Sequence, residues 1–132
     1  MKHYIITGAS SGLGEAFANQ LIQENGTIVY CISRKTNKEL VQQANTQGAP
    51  LHYFEYDLQH VHELESLMES IFGVINQNTI DELYLINNAG VIKPIAPIER
   101  CSVAEISQNI HVNLLSPIIL CKYFIEKSKD YQ

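Results

Sequence analysis

The run Thr7-Gly8-Ala9-Ser10-Ser11-Gly12-Leu13-Gly14 combines glycines and small hydroxyl residues in a spacing suited to anion binding. Glycine lets backbone approach a phosphate with no Cβ in the way. Gly8 can take a turn conformation closed to other residues, while Gly12 and Gly14 leave room for a ligand and for a helix packed tightly on a strand. The anion would sit at a helix N-terminus, where backbone N–H groups lack intrahelical partners and the macrodipole is positive. An ordinary glycine turn would contain the same residues, so the flanking pattern must decide between the two.

Three further groups carry polar or small side chains at the ends of apolar runs. Ser33-Arg34-Lys35 follows Thr27–Ile32, and no acid occurs from Ser33 until Glu39. In many dinucleotide sites a carboxylate about 20 residues beyond the glycines binds the ribose hydroxyls, whereas an arginine accommodates a 2′-phosphate. A guanidinium grips phosphate through paired charge-assisted hydrogen bonds, which favours NADP(H) over NAD(H); a solvated basic turn is the alternative. Asp57-Leu58 suits an adenine contact, and Asp57 suits equally the cap of the next helix. Asn88-Ala89-Gly90 offers small residues where backbone can approach the glycine turn or a ribose.

The elements that would position these groups can be read from periodicity. His3–Ile6 is a strand-like run before the turn, and Leu13, Phe17 and Leu21 with Ala16 form a helical stripe after it, with Gly26 as its C-cap. Thr27–Ile32 reads as a buried second strand. Thr36-Asn37-Lys38-Glu39 has capping-box form and opens a helix to about Thr46, closed by Gly48. Leu51–Tyr56 is the third strand. Val61, Leu64, Leu67, Met68, Ile71, Phe72 and Ile75 define the next helix, and Glu82–Ile86 the fourth strand. Ser102-Val103-Ala104-Glu105 is a second capping box, opening helix to about Ser128 with a break expected at Asn113–Ser116, just before Pro117. Alternating strands and helices predict an α/β fold, a Rossmann-type doubly wound parallel sheet of order 3-2-1-4. Its ligand crevice lies outside the carboxyl ends of the strands, where all four polar groups fall.

The length, 132 residues, fits one domain spanning 1–132, with 45% hydrophobic and 17% charged residues as in globular proteins. The net charge of −5, without a basic stripe, argues against nucleic-acid or anionic-membrane partners. With no 18-residue apolar run and no signal-like start, a cytoplasmic protein is expected. Cys31, Cys101 and Cys121 are odd in number and lie in apolar or helical stretches, which suits reduced core thiols. His60 and His62 would point to different sides of a helix, so no metal site is expected.

Together these motifs resemble the short-chain dehydrogenase/reductase family. Thr7–Gly14 matches its TGxxxGxG cofactor turn, Asn87-Asn88-Ala89-Gly90 its NNAG motif, and His111-Val112-Asn113-Leu114 the helix segment bearing its conserved Asn. The likeness covers the whole chain as an N-terminal portion of the family's fold, ending after the helix that follows the fourth strand. Ile5-Ile6-Thr7, Asn88–Ile95 and Asn113–Pro117 look closest to bacterial benzil reductases and sepiapterin-reductase-like enzymes. The resemblance implies hydride transfer between NADP(H) and a small carbonyl or alcohol. It makes Gly8, Ser10, Ser11, Gly12, Leu13, Gly14, Ser33, Arg34, Asp57, Leu58, Asn88, Ala89 and Gly90 the cofactor-binding set, and Asn113 the catalytic helper that holds a water in the proton relay.

The family's catalytic Ser and Tyr-xxx-Lys should follow a fifth strand, which this chain does not reach. Tyr123 and Lys127 have the spacing but lie on the same helix as Asn113, with Tyr123 about 15 Å along it at 1.5 Å per residue. Two readings follow: the cofactor-binding portion of a reductase that lacks turnover alone, or a non-catalytic nucleotide-binding or interaction module. The fourth strand would present an apolar edge, to be covered by pairing with another copy or by disorder near the C-terminus, and Ile118, Ile119, Leu120, Phe124 and Ile125 on the last helix would also seek a partner, so a homo-oligomer is expected.

Overall fold

The computed structural model describes residues 1–131. Four strands, β1 (Lys2–Thr7), β2 (Thr27–Ser33), β3 (Leu51–Glu55) and β4 (Glu82–Ile86), form one parallel sheet in the order β3-β2-β1-β4, as the alternation predicts. Consecutive residues of a strand point to opposite faces, and the apolar ones divide accordingly. Ile6, Val29 and Cys31 pack with Ala18, Ile22, Leu40 and Ala44, which belong to or flank α1 (Gly12–Leu21) and α2 (Lys38–Gln47). Ile5, Tyr30 and Ile32 pack with Leu64, Met68, Ile71 and Leu120, carried by α3 (Leu64–Val74) and α5 (Ser116–Ser128). Both faces of the central strands are therefore dry, which is why their sequences are apolar runs without alternation.

A polar cluster sits within that dry layer. His3 is fully buried, its Nδ1 3.0 Å from the Tyr30 hydroxyl and its Nε2 3.3 Å from Thr79 Oγ1, and Tyr30 stacks in turn on His52. Burial first, and the N-terminal ammonium second, hold the imidazole below its ordinary value. Burial pushes the Tyr30 hydroxyl up to about 12.

Helix ends follow local chemistry, with some departures from expectation. The cap of α2 is Asn37, whose Oδ1 accepts from Leu40 N at 3.1 Å, while Thr36 turns away to Glu55. With the Thr36 hydroxyl committed to Glu55, the Asn37 amide oxygen takes the N3 position of the helix. Gly48 closes α2 in the left-handed conformation as expected. The C-cap of α1 is Ile22, and Gly26, with φ +76°, belongs to the turn into β2. A turn of 3₁₀ helix at Val61–Glu63 precedes α3, so Asp57 caps no helix; its carboxylate closes a local turn on Gln59 N at 3.1 Å. The Ser102–Glu105 capping box forms with both reciprocal bonds and opens α4 (Val103–Ile110). Between α4 and α5 the chain widens into a π-helical segment, His111–Leu115, which accommodates the N–H missing at Pro117. Of the cysteines only Cys31 is a core thiol, pushed up to about 12 by burial; Cys121 on α5 is exposed, its sulfur accepting from Asn87 Nδ2 at 3.4 Å. No helix among the described residues is long and apolar enough to cross a membrane.

Candidate functional site

The carboxyl ends of the four strands open into one cleft of about 340 Å³. Gly8, Ser10, Ser11 and Leu13 line it after β1, Ile32, Ser33 and Arg34 at the end of β2, and Tyr56, Asp57 and Leu58 after β3. Asn88, Ala89, Gly90 and Val91 line it after β4, and Gln108 and Val112 close it from the α4 side. Of the predicted binding residues, Gly12 and Gly14 do not line the cleft, and neither does Asn113.

The glycine turn is shaped by contacts that no side chain could share. Gly8 has φ +72°, and a Cβ there would lie 2.9 Å from Ala89 Cα. A Cβ on Gly14 would meet the Gly8 carbonyl oxygen at 2.3 Å and Asn88 Nδ2 at 2.5 Å. Gly14 thus seats α1 against the turn instead of facing a ligand. Ser11, the residue preceding α1, makes no side-chain cap, in contrast to Asn37 and Ser102 on the neighbouring helices. The first turn of α1 therefore keeps its N–H donors free of side-chain caps at the mouth of the cleft. A negatively charged diphosphate fits this cradle of small residues.

The β1–β4 seam is locked by Thr7, the first residue of the glycine-rich run. Its buried Oγ1 accepts from both Asn88 N and Ala89 N at 3.0 Å. Asn88 returns Nδ2 to the carbonyls of Thr7 (3.2 Å) and Gly8 (3.4 Å). Its side chain therefore builds the cleft wall.

Asn113 has a similar structural engagement. Its Oδ1 accepts from Val91 N at 2.7 Å and its Nδ2 donates to Val91 O at 2.6 Å, so both polar ends of the amide clamp one residue of the loop after β4. Asn109, one helical turn earlier, donates to Val91 O at 3.3 Å and Lys93 O at 2.9 Å. The i, i+4 spacing of the two asparagines places them on one face and was the signal available in the sequence. Ser116, fully buried in α5, donates to Leu58 O and ties the far wall to the same helical run.

On the β2 side Arg34 is exposed, and among the described residues no carboxylate lies within ion-pair distance of it. Its guanidinium remains available to an anion. The Tyr-xxx-Lys pair of α5 points elsewhere: Tyr123 donates to Glu65 Oε2 at 3.2 Å, and Lys127 Nζ lies 3.9 Å from Glu69, both on α3. Among the described residues no group of His, Cys, Asp and Glu could hold a metal ion.

Comparison with known proteins places this geometry. A benzil reductase ((S)-benzoin forming) of Bacillus cereus is 40% identical over 132 residues, covering 100% of this chain and 53% of that reductase. The protein of the same description from Bacillus subtilis (strain 168) is 34% identical over 131 residues, covering 99% of this chain and 51% of its own length. The chain thus spans about half the length of these curated relatives. Among solved structures, an alcohol dehydrogenase from the archaeon Thermococcus sibiricus complexed with 5-hydroxy-NADP superposes with a TM-score of 0.83 at 26% identity, covering 99% of this chain and 55% of that one. The family model described as short chain dehydrogenase matches residues 2–131. With the sheet order, the glycine turn and the seam at Asn88 already in hand, this chain belongs to the short-chain dehydrogenase family of oxidoreductases.

Proposed function

We propose that this chain is the NADP(H)-binding portion of a short-chain oxidoreductase that moves hydride between NADPH and a small carbonyl or alcohol. The observation that carries the reading is the exposed, unpaired Arg34 on the rim of a cleft whose opposite wall is the uncapped start of α1. A diphosphate would take the N–H groups near Ser11, Gly12 and Leu13, and a 2′-phosphate the guanidinium of Arg34. Asp57 and Leu58 flank the adenine end, and Ala89 and Gly90 allow a ribose close to the β4 end. A bound dihydronicotinamide supplies a hydride to a carbonyl carbon; this chain's residues bind and orient it. Asn113, by holding Val91 at both its N–H and C=O, fixes the loop bordering the reacting end, and a relay water would have to use electron pairs that the clamp leaves free.

The benzil reductases among the relatives support a ketone or diketone as substrate of the assembled enzyme. The 132-residue chain alone does not turn over, because its only Tyr-xxx-Lys pair is engaged with Glu65 and Glu69 of α3. The exposed Ile110, Leu114, Ile118 and Ile125 support self-association through the α4–α5 flank, and the free thiols a reducing, cytoplasmic setting.

The test is calorimetric titration with NADPH and NADH. NADPH is expected to bind more tightly, and Arg34→Ala to cost about tenfold in NADPH affinity with NADH unchanged, the size of one exposed charge-assisted contact. Equal affinities in the unmodified chain, or an indifferent R34A, would refute the 2′-phosphate assignment.

A further inference from the structure

We propose that Glu55, acting through Thr36, is a positioning residue that sets preference for a 2′-phosphorylated cofactor by fixing the backbone that carries Arg34. The proposal rests on the assignment of Arg34 to a 2′-phosphate.

Arg34 is exposed, yet the loop on either side of it is held. On the N-terminal side, Ser33 Oγ lies 2.7 Å from Lys35 O and 2.5 Å from the Tyr53 hydroxyl, which itself donates to Lys35 O at 3.4 Å. On the C-terminal side, one oxygen of Glu55 accepts from both Thr36 N (3.0 Å) and Thr36 Oγ1 (2.9 Å). Asn37 then donates to Glu15 Oε1 at 3.0 Å and to Ser10 O at 3.4 Å, linking the loop to the glycine turn. The arginine is thus an exposed side chain on a hydrogen-bonded base, and the base is tied to the turn that would hold the diphosphate. Holding a flexible cation's anchor in place lowers the ordering cost of engaging a phosphate.

The presence of Glu55 is otherwise a puzzle. A carboxylate at the end of β3, close in sequence to Asp57 and bonded to the arginine loop, would by charge alone disfavour a dianionic phosphate. The two bonds from Thr36 hold its carboxyl below the ordinary range, so it is ionised at neutral pH. Bracing and repulsion predict opposite signs when the side chain is removed, which makes the assignment testable.

The experiment compares NADPH and NADH affinities of the 132-residue chain and of E55A, E55Q, T36V and R34A by calorimetry, with thermal unfolding of each variant as the folding control. E55A is expected to lower the NADPH-to-NADH affinity ratio about fivefold, the worth of roughly one hydrogen bond, with NADH affinity unchanged. T36V, which keeps the N–H bond and loses the hydroxyl one, should lower the ratio about twofold, and serves if E55A does not fold. E55Q should retain most of the ratio, since an amide oxygen accepts both bonds. A ratio that is unchanged or raised in E55A or T36V while R34A lowers it overturns the brace and leaves the cofactor reading standing, as does equal weakening of both cofactors. A ratio indifferent to R34A overturns both.

Discussion

The glycine-turn side of the cleft and the flank beyond Gly90 treat the same resource, backbone polarity, in different ways. Around the turn, Thr7, Asn88 and Gly14 interlock so closely that a single added methyl at Gly14 would press on a carbonyl. Beyond Gly90 the chain is held by Asn109 and Asn113 through Val91 and Lys93, while its large apolar residues face outward: Ile92 is 81% exposed, Ile95 77% and Val103 84%. The turn side is complete within the chain. The flank is organised in its backbone but leaves large apolar side chains exposed.

The sharpest test of how the flank differs from packed surface is to substitute within α5, which has a buried side against α3 and an exposed one. Leu120→Ala, at a fully buried position against α3, should cost about 2–5 kcal/mol in urea unfolding, whereas Ile118→Ala on the exposed side of the same helix should stay within about 0.5 kcal/mol. Ile118→Ala should instead lower any self-association seen by sedimentation. Comparable costs at the two positions would mean that the flank is packed in solution.

Next in size is the turn. Gly14→Ala should cost about 2–3 kcal/mol by forcing α1 off the turn, against about 1 kcal/mol for Gly12→Ala, where nothing lies within 4 Å and only the left-handed φ of +60° is strained. Unfolding and NADPH titration of the pair would separate packing from conformation.

A smaller effect belongs to the layer beneath both regions. His3 has a depressed value in the folded chain and an ordinary one, about 6.5, when unfolded, so on acidification the unfolded state takes up the proton first. Stability should be level above that pH and fall below it, and His3→Gln should flatten this part of the curve in urea midpoints measured between pH 7.5 and 5. The smallest expected change is that of Tyr123→Phe. Loss of one exposed bond to Glu65 should alter stability by at most about 0.5 kcal/mol and leave NADPH binding intact. A larger effect on binding would bring Tyr123 back into consideration for chemistry.

Legibility in the sequence followed the range of the interactions involved. The strands, the α3 stripe and the residues at the four strand ends could be read because apolar runs and glycine spacing are local, and the cleft gathers nearly all of them. The Ser102 capping box is likewise a four-residue signal. Thr7 and Asn88, in contrast, are 81 residues apart, and nothing in a strand-ending threonine says that its hydroxyl will receive two amides from the loop after another strand. Glu55 and Thr36 meet only because β3 lies beside β2. The choice of Asn37 over Thr36 as cap was a difference of one residue between two competent side chains, decided by the partner that Glu55 offers to the threonine. The clamp by Asn113 was hidden for another reason: its position was legible, but not which backbone groups it would meet.

The wide turn at His111–Leu115 also sets the phase of everything after it. An α-helix advances about 100° per residue, so one residue removed from that segment to restore regular α geometry would rotate α5 by about a quarter of a turn relative to α4. Asn109 would still face Val91, but Ser116 would swing away from Leu58 and Leu120 out of its seat against α3, with a neighbouring residue carried toward it. The segment works as a phase shifter, letting the asparagines address the loop while Ser116 and Leu120 of the following helix address the core.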